Sequence, residues 1–388
     1  MALCKEIVGP LLLASLHDSH SNANGRLLIP SGDAWVSTNK TNIVDAIIIT
    51  PLQICDRYSP DNYFQDIGNS LIVMPLLAHL SLSLAGIPQP TQTYSFGSGN
   101  YQLFFTLTGS GPLLVIQAPG WGIGNAYLQS GLAPLATSHT LLFLLPRGTA
   151  PSSGADSANE MRSVTMAFDL ESLRVWLELP SLTLLGHSNG GTVALAYAEM
   201  YPKRVDKLVL VDPQILGFDD SATWIRFFGE RMEDARYAGA IEAMKGGMNP
   251  QTDEELQELL KKLIPYYFAQ PEKYAEKFYQ QLEAAAKESQ HGGVQVSPFK
   301  AQGDADQADK EGVTGLFGRV ICKTLILVGD KDAFCSVVAA KIAQEGIKEG
   351  GHGGVELVVL EDCGHFPWVE KGDIFFEVMK RFLQDKNE

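Results

Sequence analysis

Basic residues are scarce in this chain: 30 Lys and Arg stand against 45 Asp and Glu in 388 residues, a net charge of −15. Nucleic acid and anionic membrane surfaces both require clustered positive charge, so neither is expected as a partner. Cysteine is scarce as well. The five present, Cys4, Cys55, Cys322, Cys335 and Cys363, are odd in number and scattered, with no C-x-x-C pair. Neither a disulfide framework nor a zinc site is indicated, and a reducing compartment is the simplest home. Long apolar runs are also missing. Ile7–Leu16 follows Lys5-Glu6, is broken by Pro10 and has no clear cleavage site, so it does not read as a secretory signal. Leu71–Gly86 carries Pro75, His79 and several serines and falls short of the roughly 20 residues a spanning helix needs. A cytoplasmic protein without stable membrane insertion is the expectation.

Charge of either sign is absent from Ile67 to Pro146, so no charged break separates the N-terminal stretch from the regular part of the chain. Residues 1–90 have few charges, no helical period and many turn formers. They read as an extension of uncertain structure: a cover packed over the body, a loosely attached tail, or a stretch translated from non-coding sequence. With 45% of its residues hydrophobic, the chain can bury one large core, or a core and a smaller second domain.

From Thr91 onward the pattern is regular. Tyr94–Phe96 and Tyr101–Thr106 read as a hairpin, and Leu113–Gln117, Thr140–Leu145, Leu182–Leu185, Lys207–Val211, Thr324–Val328 and Val355–Leu360 as strands. Helical patterns at Ser163–Leu179, after Ser188, at Val337–Glu345 and at Ile374–Leu383 lie between and after them. This alternation predicts an α/β fold, a mainly parallel twisted sheet flanked by helices. After Asp212-Pro213 it stops. Ser221–Met244, Thr252–Phe268 and Pro271–Ser289 read as helices and His291–Gly318 as a polar, glycine-bearing loop, so a helical cap is inserted between two strands. The expected divisions are the extension at 1–90, the core at 91–213 and 321–388, and the cap at 214–320.

Ser181–Ala196, SLTLLGHSNGGTVALA, is a buried strand, a turn of small residues and an apolar helix. In that setting G-x-S-x-G lifts the Ser188 hydroxyl clear of the backbone. A serine hydroxyl is a poor nucleophile at neutral pH and needs a base that an acid orients. TLILVGDKDAF places Asp330 and Asp332 at one strand end, and VVLEDCGHFPW places His365 just beyond the next. Asp332 is preferred as the acid because Asp330 sits closer to the strand end, where it would cap the turn. An oxyanion needs two preorganised N–H donors. Asn189, after the nucleophile, and Trp121, in the Ala118-Pro119-Gly120-Trp121-Gly122 loop after an earlier strand, are the candidates.

Together PGWG, GHSNGG, VGDKD and DCGHFPW, in the order Ser188, Asp332, His365, resemble the α/β-hydrolase superfamily over the chain from Thr91 to the C-terminus. YPKRVDKLVLVDP, LPRGTAPSS and the long cap resemble its proline iminopeptidase-like branch, fungal members in particular. That resemblance implies removal of N-terminal residues, often proline, from short peptides; for a serine hydrolase working through an acyl-enzyme, no metal or organic cofactor is expected. The H-G-G-P-G and G-G-S-W-G of characterised iminopeptidases are replaced here, and PGWG is closer to the H-G-W-G of small carboxylesterases. Three readings stand: an aminopeptidase on short peptides, with Glu230, Glu233, Asp234 and Glu242 available to hold a free amine; an esterase or lactonase on small esters; and a non-catalytic ligand-binding protein.

Overall fold

The computed structural model describes residues 28–31, 34–37, 92–154, 158–288, 293–350 and 354–385. Strands β1 (Leu28–Ser31) and β2 (Ala34–Ser37) form an antiparallel pair within one unit of the chain, Met1–Val73; all the remaining elements belong to the other, Met74–Glu388. The rest of the expected extension, including Leu71–Gly86, lies outside the described residues. Among those described, no helix is long and apolar enough to cross a membrane.

Strands β3 (Gln92–Ser98) and β4 (Tyr101–Gly109) form a hairpin across Gly99, whose φ of +57° suits a residue without a Cβ. Next come β5 (Leu113–Gln117), helix α1 (Ala126–Gly131), β6 (Thr140–Leu145), α2 (Ala167–Trp176), β7 (Leu182–His187), α3 (Asn189–Met200) and β8 (Val205–Val211). Helices α4 (Ser221–Arg231), α5 (Ala238–Lys245), α6 (Asp253–Leu263), α7 (Pro271–Glu288) and α8 (Val296–Ala308) make up the insertion. The chain then returns to the sheet with β9 (Lys323–Gly329), α9 (Val337–Glu349), β10 (Val355–Leu360), the short α10 (Pro367–Glu370) and α11 (Gly372–Gln384).

The eight-stranded sheet has the order β10-β9-β8-β7-β5-β6-β4-β3. Its β3-β4-β6 edge is antiparallel and all other pairs are parallel. Both faces are covered, as a parallel sheet requires. Alternate residues of one strand therefore enter different cores. Leu184 and Leu208 pack with α2, α3 and α9 on one face; Leu185 and Val209 pack with α1 and α11 on the other. Helix α3 is buried on all sides from Asn189 to Glu199, which is why its sequence is apolar without a polar stripe. Strand β5 lies between β6 and β7, so the chain leaves its carboxyl end toward one side and later returns on the other. A crevice at such a reversal is where open α/β sheets build their sites.

Several expectations need correction. Ser163–Leu179 is a 3-10 turn, Ser163–Met166, followed by α2. Ser221–Met244 divides into α4 and α5, because Asp234 accepts the Arg236 N–H and starts a separate turn. Thr252–Phe268 is α6 followed by a 3-10 turn at Ile264–Tyr267 containing Pro265, which lacks the N–H to continue a helix. The largest correction falls on His291–Gly318, where Val296–Ala308 is helical. Its buried residues are Gln302, Ala305 and Asp306, so the buried face is mostly polar and a search for apolar period passes over it.

Candidate active site

Ser188 sits between β7 and α3 with φ 55° and ψ −129°, a strained conformation for a residue with a Cβ. Small neighbours make the turn possible. A Cβ on Gly186 would lie 2.3 Å from the Gly190 carbonyl oxygen, and one on Gly190 would lie 2.2 Å from that of Gln117. Three main-chain bonds fix the elbow: Ser188 N–H to the Val211 carbonyl, and Gly191 and Gln214 N–H to the Ser188 carbonyl. Ser188 is half-buried, whereas its neighbours His187 and Asn189 are fully buried.

Asp332 and His365 leave the carboxyl ends of β9 and β10, which are adjacent. His365 Nδ1 donates to Asp332 Oδ2 at 2.6 Å, with both residues almost wholly buried. The other carboxylate oxygen, Oδ1, accepts the Phe334 and Cys335 N–H groups at 2.8 and 3.1 Å. With Nδ1–H committed to the carboxylate, Nε2 is the ring nitrogen left free to accept a proton. Asp330 ties the strand end to the following turn instead, accepting from Cys363 N–H and pairing with Lys331. The insertion also reaches His365: the Tyr267 carbonyl accepts its N–H at 2.8 Å.

Sequence reasoning passed over three groups packed around these residues. Asp212, at the end of β8, is fully buried and accepts the Gly329 N–H at 2.8 Å through Oδ1. Burial, and then the charge of the adjoining Asp332, raises its pKa well above the carboxylate range, while its second oxygen, Oδ2, is buried without a hydrogen-bond partner. Its place at a strand end in KLVLVDP was the available signal. His187 is also buried, and its pKa is lowered well below the usual value by burial and by the nearby His365. Neutral His187 donates from Nε2 to the His365 carbonyl at 2.9 Å, so its Nδ1 accepts from the Tyr127 hydroxyl at 2.8 Å. Cys335 is the third. Its sulfur lies within 4.8 Å of ligating atoms of Asp332 and His365, and its thiol's pKa is raised well above the usual value, chiefly by burial. Asp332 and His365 thus both lie close to one sulfur. The same cluster is the candidate metal set among the described residues, but Asp332 and His365 are bonded to each other and burial disfavours the thiolate.

The other half of the site is the loop after β5. Gly120, Trp121 and Gly122 all have positive φ, which turns the chain sharply after β5. Asn189 opens α3, and the first N–H groups of a helix have no partner within it. Trp121 N–H is engaged: it donates to Gln302 Oε1 of α8 at 2.6 Å. Nothing in the sequence pointed to Gln302, which falls in the segment read as a polar loop. The Asn189 side chain donates to the Pro119 carbonyl and to Ser163 Oγ at 2.8 and 2.7 Å. Chemically, the arrangement offers a hydroxyl on a strained elbow, a base oriented by a carboxylate, and main-chain N–H groups from two neighbouring strand ends.

The alpha/beta hydrolase fold family matches residues 113–372 of the chain. The (lyso)-N-acylphosphatidylethanolamine lipase of Homo sapiens is 37% identical over 105 residues, 26% of this chain and 30% of the lipase, so the chain spans less than a third of that relative's length. The 2-hydroxy-6-oxo-6-phenylhexa-2,4-dienoate hydrolase of Comamonas testosteroni is 25% identical over 291 residues, 74% of this chain and 90% of that one. An esterase of Exiguobacterium antarcticum is similar in fold, with a TM-score of 0.56 at 19% identity over 75% of this chain and 99% of the esterase.

Proposed function

Since the chain belongs to the alpha/beta hydrolase fold family and is a hydrolytic enzyme, we propose that it cleaves small, uncharged carboxylic esters through an acyl-enzyme on Ser188. The observation that carries the reading is the 2.6 Å bond from His365 Nδ1 to the buried Asp332. It sets the tautomer a general base needs and stabilises the imidazolium that forms when the base takes a proton.

Ser188 Oγ attacks the ester carbonyl while His365 Nε2 takes its proton, and the carbonyl oxygen becomes an oxyanion held by the N–H groups of Asn189 and Trp121. As the C–O bond breaks, His365 returns the proton to the departing alkoxide and the alcohol leaves. Water then attacks the acyl-serine, giving its proton to His365, and the acid departs as Ser188 recovers that proton. Every charge in the cycle is met by a group of the chain itself.

An ester is favoured over a peptide by the charges of the insertion. An aminopeptidase of the iminopeptidase-like kind needs a carboxylate facing the nucleophile to hold the free amine. Glu230, Glu233 and Glu242 are exposed, Glu230 paired with Arg226, and Asp234 is held by Arg236. The rings of Tyr267 and Phe366, 5.1 and 5.3 Å from that of His365, suit an uncharged acyl or alcohol group. The test compares 4-nitrophenyl acetate and butyrate with prolyl and alanyl 4-nitroanilides. Ester turnover that disappears in Ser188→Ala is expected; faster cleavage of prolyl anilide than of either ester would return the protein to the aminopeptidases.

A further inference from the structure

We propose that Gln302 is a specificity-determining residue of this site: its side-chain amide oxygen occupies the Trp121 N–H, and a substrate carbonyl has to displace it. The proposal rests on the Ser188 acyl-enzyme reading.

A glutamine amide presents a planar carbonyl, the same acceptor an ester presents. Gln302 Oε1 takes the Trp121 N–H at 2.6 Å, and a Cβ on Gly120 would lie 2.5 Å from that oxygen. The side chain is fully buried, and Nε2 donates to the Pro119 carbonyl at 3.1 Å and to Ser163 Oγ at 3.0 Å. Each polar atom of the amide is therefore satisfied by the oxyanion loop and the Ser163 turn beside it.

Helix α8 is fastened on both sides of Gln302. Before it, Gln295 N–H donates to the Gly122 carbonyl at 2.9 Å and Gln295 Oε1 accepts the Ala150 N–H at 2.8 Å. One turn after it, Asp306 accepts both the N–H and the hydroxyl of Ser163, at 2.8 and 2.6 Å. Gly303 meets the Trp121 ring with no side chain of its own, and a Cβ there would lie 3.1 Å from it. With the helix held this way, the side chain moves and the helix stays. Its departure leaves no acceptor of the core orphaned, because Asn189 Nδ2 already donates to both Pro119 O and Ser163 Oγ.

The consequence is selection among acyl groups. A carbonyl must out-compete an internal amide and also compensate its desolvation, which an acyl chain burying more apolar surface does better than acetyl. Gln302 thereby sets a threshold that short, weakly held substrates fail to reach.

The test is the second-order rate of Ser188 labelling by a small alkyl fluorophosphonate in wild type, Gln302→Met and Gln302→Ala, with thermal melting to show that each variant is folded. Methionine keeps the packing without the amide; alanine empties the position. Both are expected to label about tenfold faster, the scale of one competing hydrogen bond, and to narrow the kcat/KM gap between acetyl and butyryl esters. Folded variants that label at the wild-type rate or slower overturn the proposal and make Gln302 a support of the loop. Should neither variant fold, a crystal structure of phosphonylated wild type decides: Gln302 turned away from Trp121 upholds the proposal, and Gln302 still bonded to it overturns it. Wild type that is folded but never labelled at Ser188 removes the acyl-enzyme reading itself, and Gln302's role with it.

Discussion

Arg231 of the insertion donates through Nη2 to the Lys331 carbonyl at 2.7 Å, in the turn that carries Asp332, and through Nη1 to the Tyr266 carbonyl at 2.6 Å. Its guanidinium also lies over the rings of Phe227, Tyr237 and Tyr266 at 4.6 to 4.9 Å. A single buried cation thus joins two separate parts of the insertion and the acid loop. Arg231→Met should lower stability by about 2–4 kcal/mol, since two carbonyls lose a charged donor, and should reduce ester kcat. Urea denaturation reads the first effect. Arg231→Lys can serve one carbonyl at a time and should recover only part of the loss; a Met variant as stable as wild type would mean that the guanidinium does not hold these segments together.

The two aspartates at neighbouring strand ends predict unequal mutants. Asp332→Asn removes the acceptor that fixes the His365 tautomer, and kcat should fall by about 10³–10⁴ with little change in melting temperature. Asp212→Asn keeps an oxygen for the Gly329 N–H and removes no group bonded to His365, so kcat should stay within about threefold of wild type. Asp212→Ala orphans the Gly329 N–H and should cost about 2 kcal/mol. Equal damage from the two Asn variants would mean that Asp212 acts as an anion.

Glu199 of α3 is almost wholly buried, and burial pushes its carboxyl up to about 8 from 4.5. Between those values the folded protein keeps a proton that the unfolded chain releases, so stability declines as pH rises through the window. Glu199→Gln removes this dependence. The variant should match wild type near pH 4.5 and exceed it at about pH 9 by on the order of 3 kcal/mol. Urea midpoints at the two ends of the range check it, and parallel pH profiles would contradict it.

Glycine requirements differ sharply by position. Gly190→Ala forces a Cβ to 2.2 Å from the Gln117 carbonyl oxygen and should abolish soluble expression or cost at least about 3 kcal/mol. Gly239→Ala in α5 meets nothing within 4 Å and should be neutral or gain up to about 1 kcal/mol through helix propensity. Melting temperatures of the pair give a direct comparison.

What could be read from the residues divides along physical lines. Strands β5 to β10 are short apolar runs bounded by turn formers, so their positions were legible to within a residue or two. The meeting of Asp332 with His365 was legible for the same reason: both follow strand ends that a parallel sheet brings together, and Asp330, nearer its strand end, binds the turn. Helix α8 was hidden because it buries Gln302 and Asp306, and polar residues acquire a reason to be buried only from partners far away in the chain, here Trp121 and Ser163. Local propensity carries no such information. The break between α4 and α5 was hidden too, since neither proline nor glycine marks it; Pro265 did mark the end of α6 and was the cue that should have shortened it.

Because β5 and β7 are hydrogen-bonded neighbours, with Gln117 beside Gly186, the loops bearing Trp121 and Asn189 begin one strand apart. The gauge proposed to receive a substrate oxygen is thus laid down by the pitch of the sheet, about 4.8 Å, a dimension of the backbone that side-chain replacement leaves alone. The insertion can be rewritten for a new acyl group while that gauge stays the same.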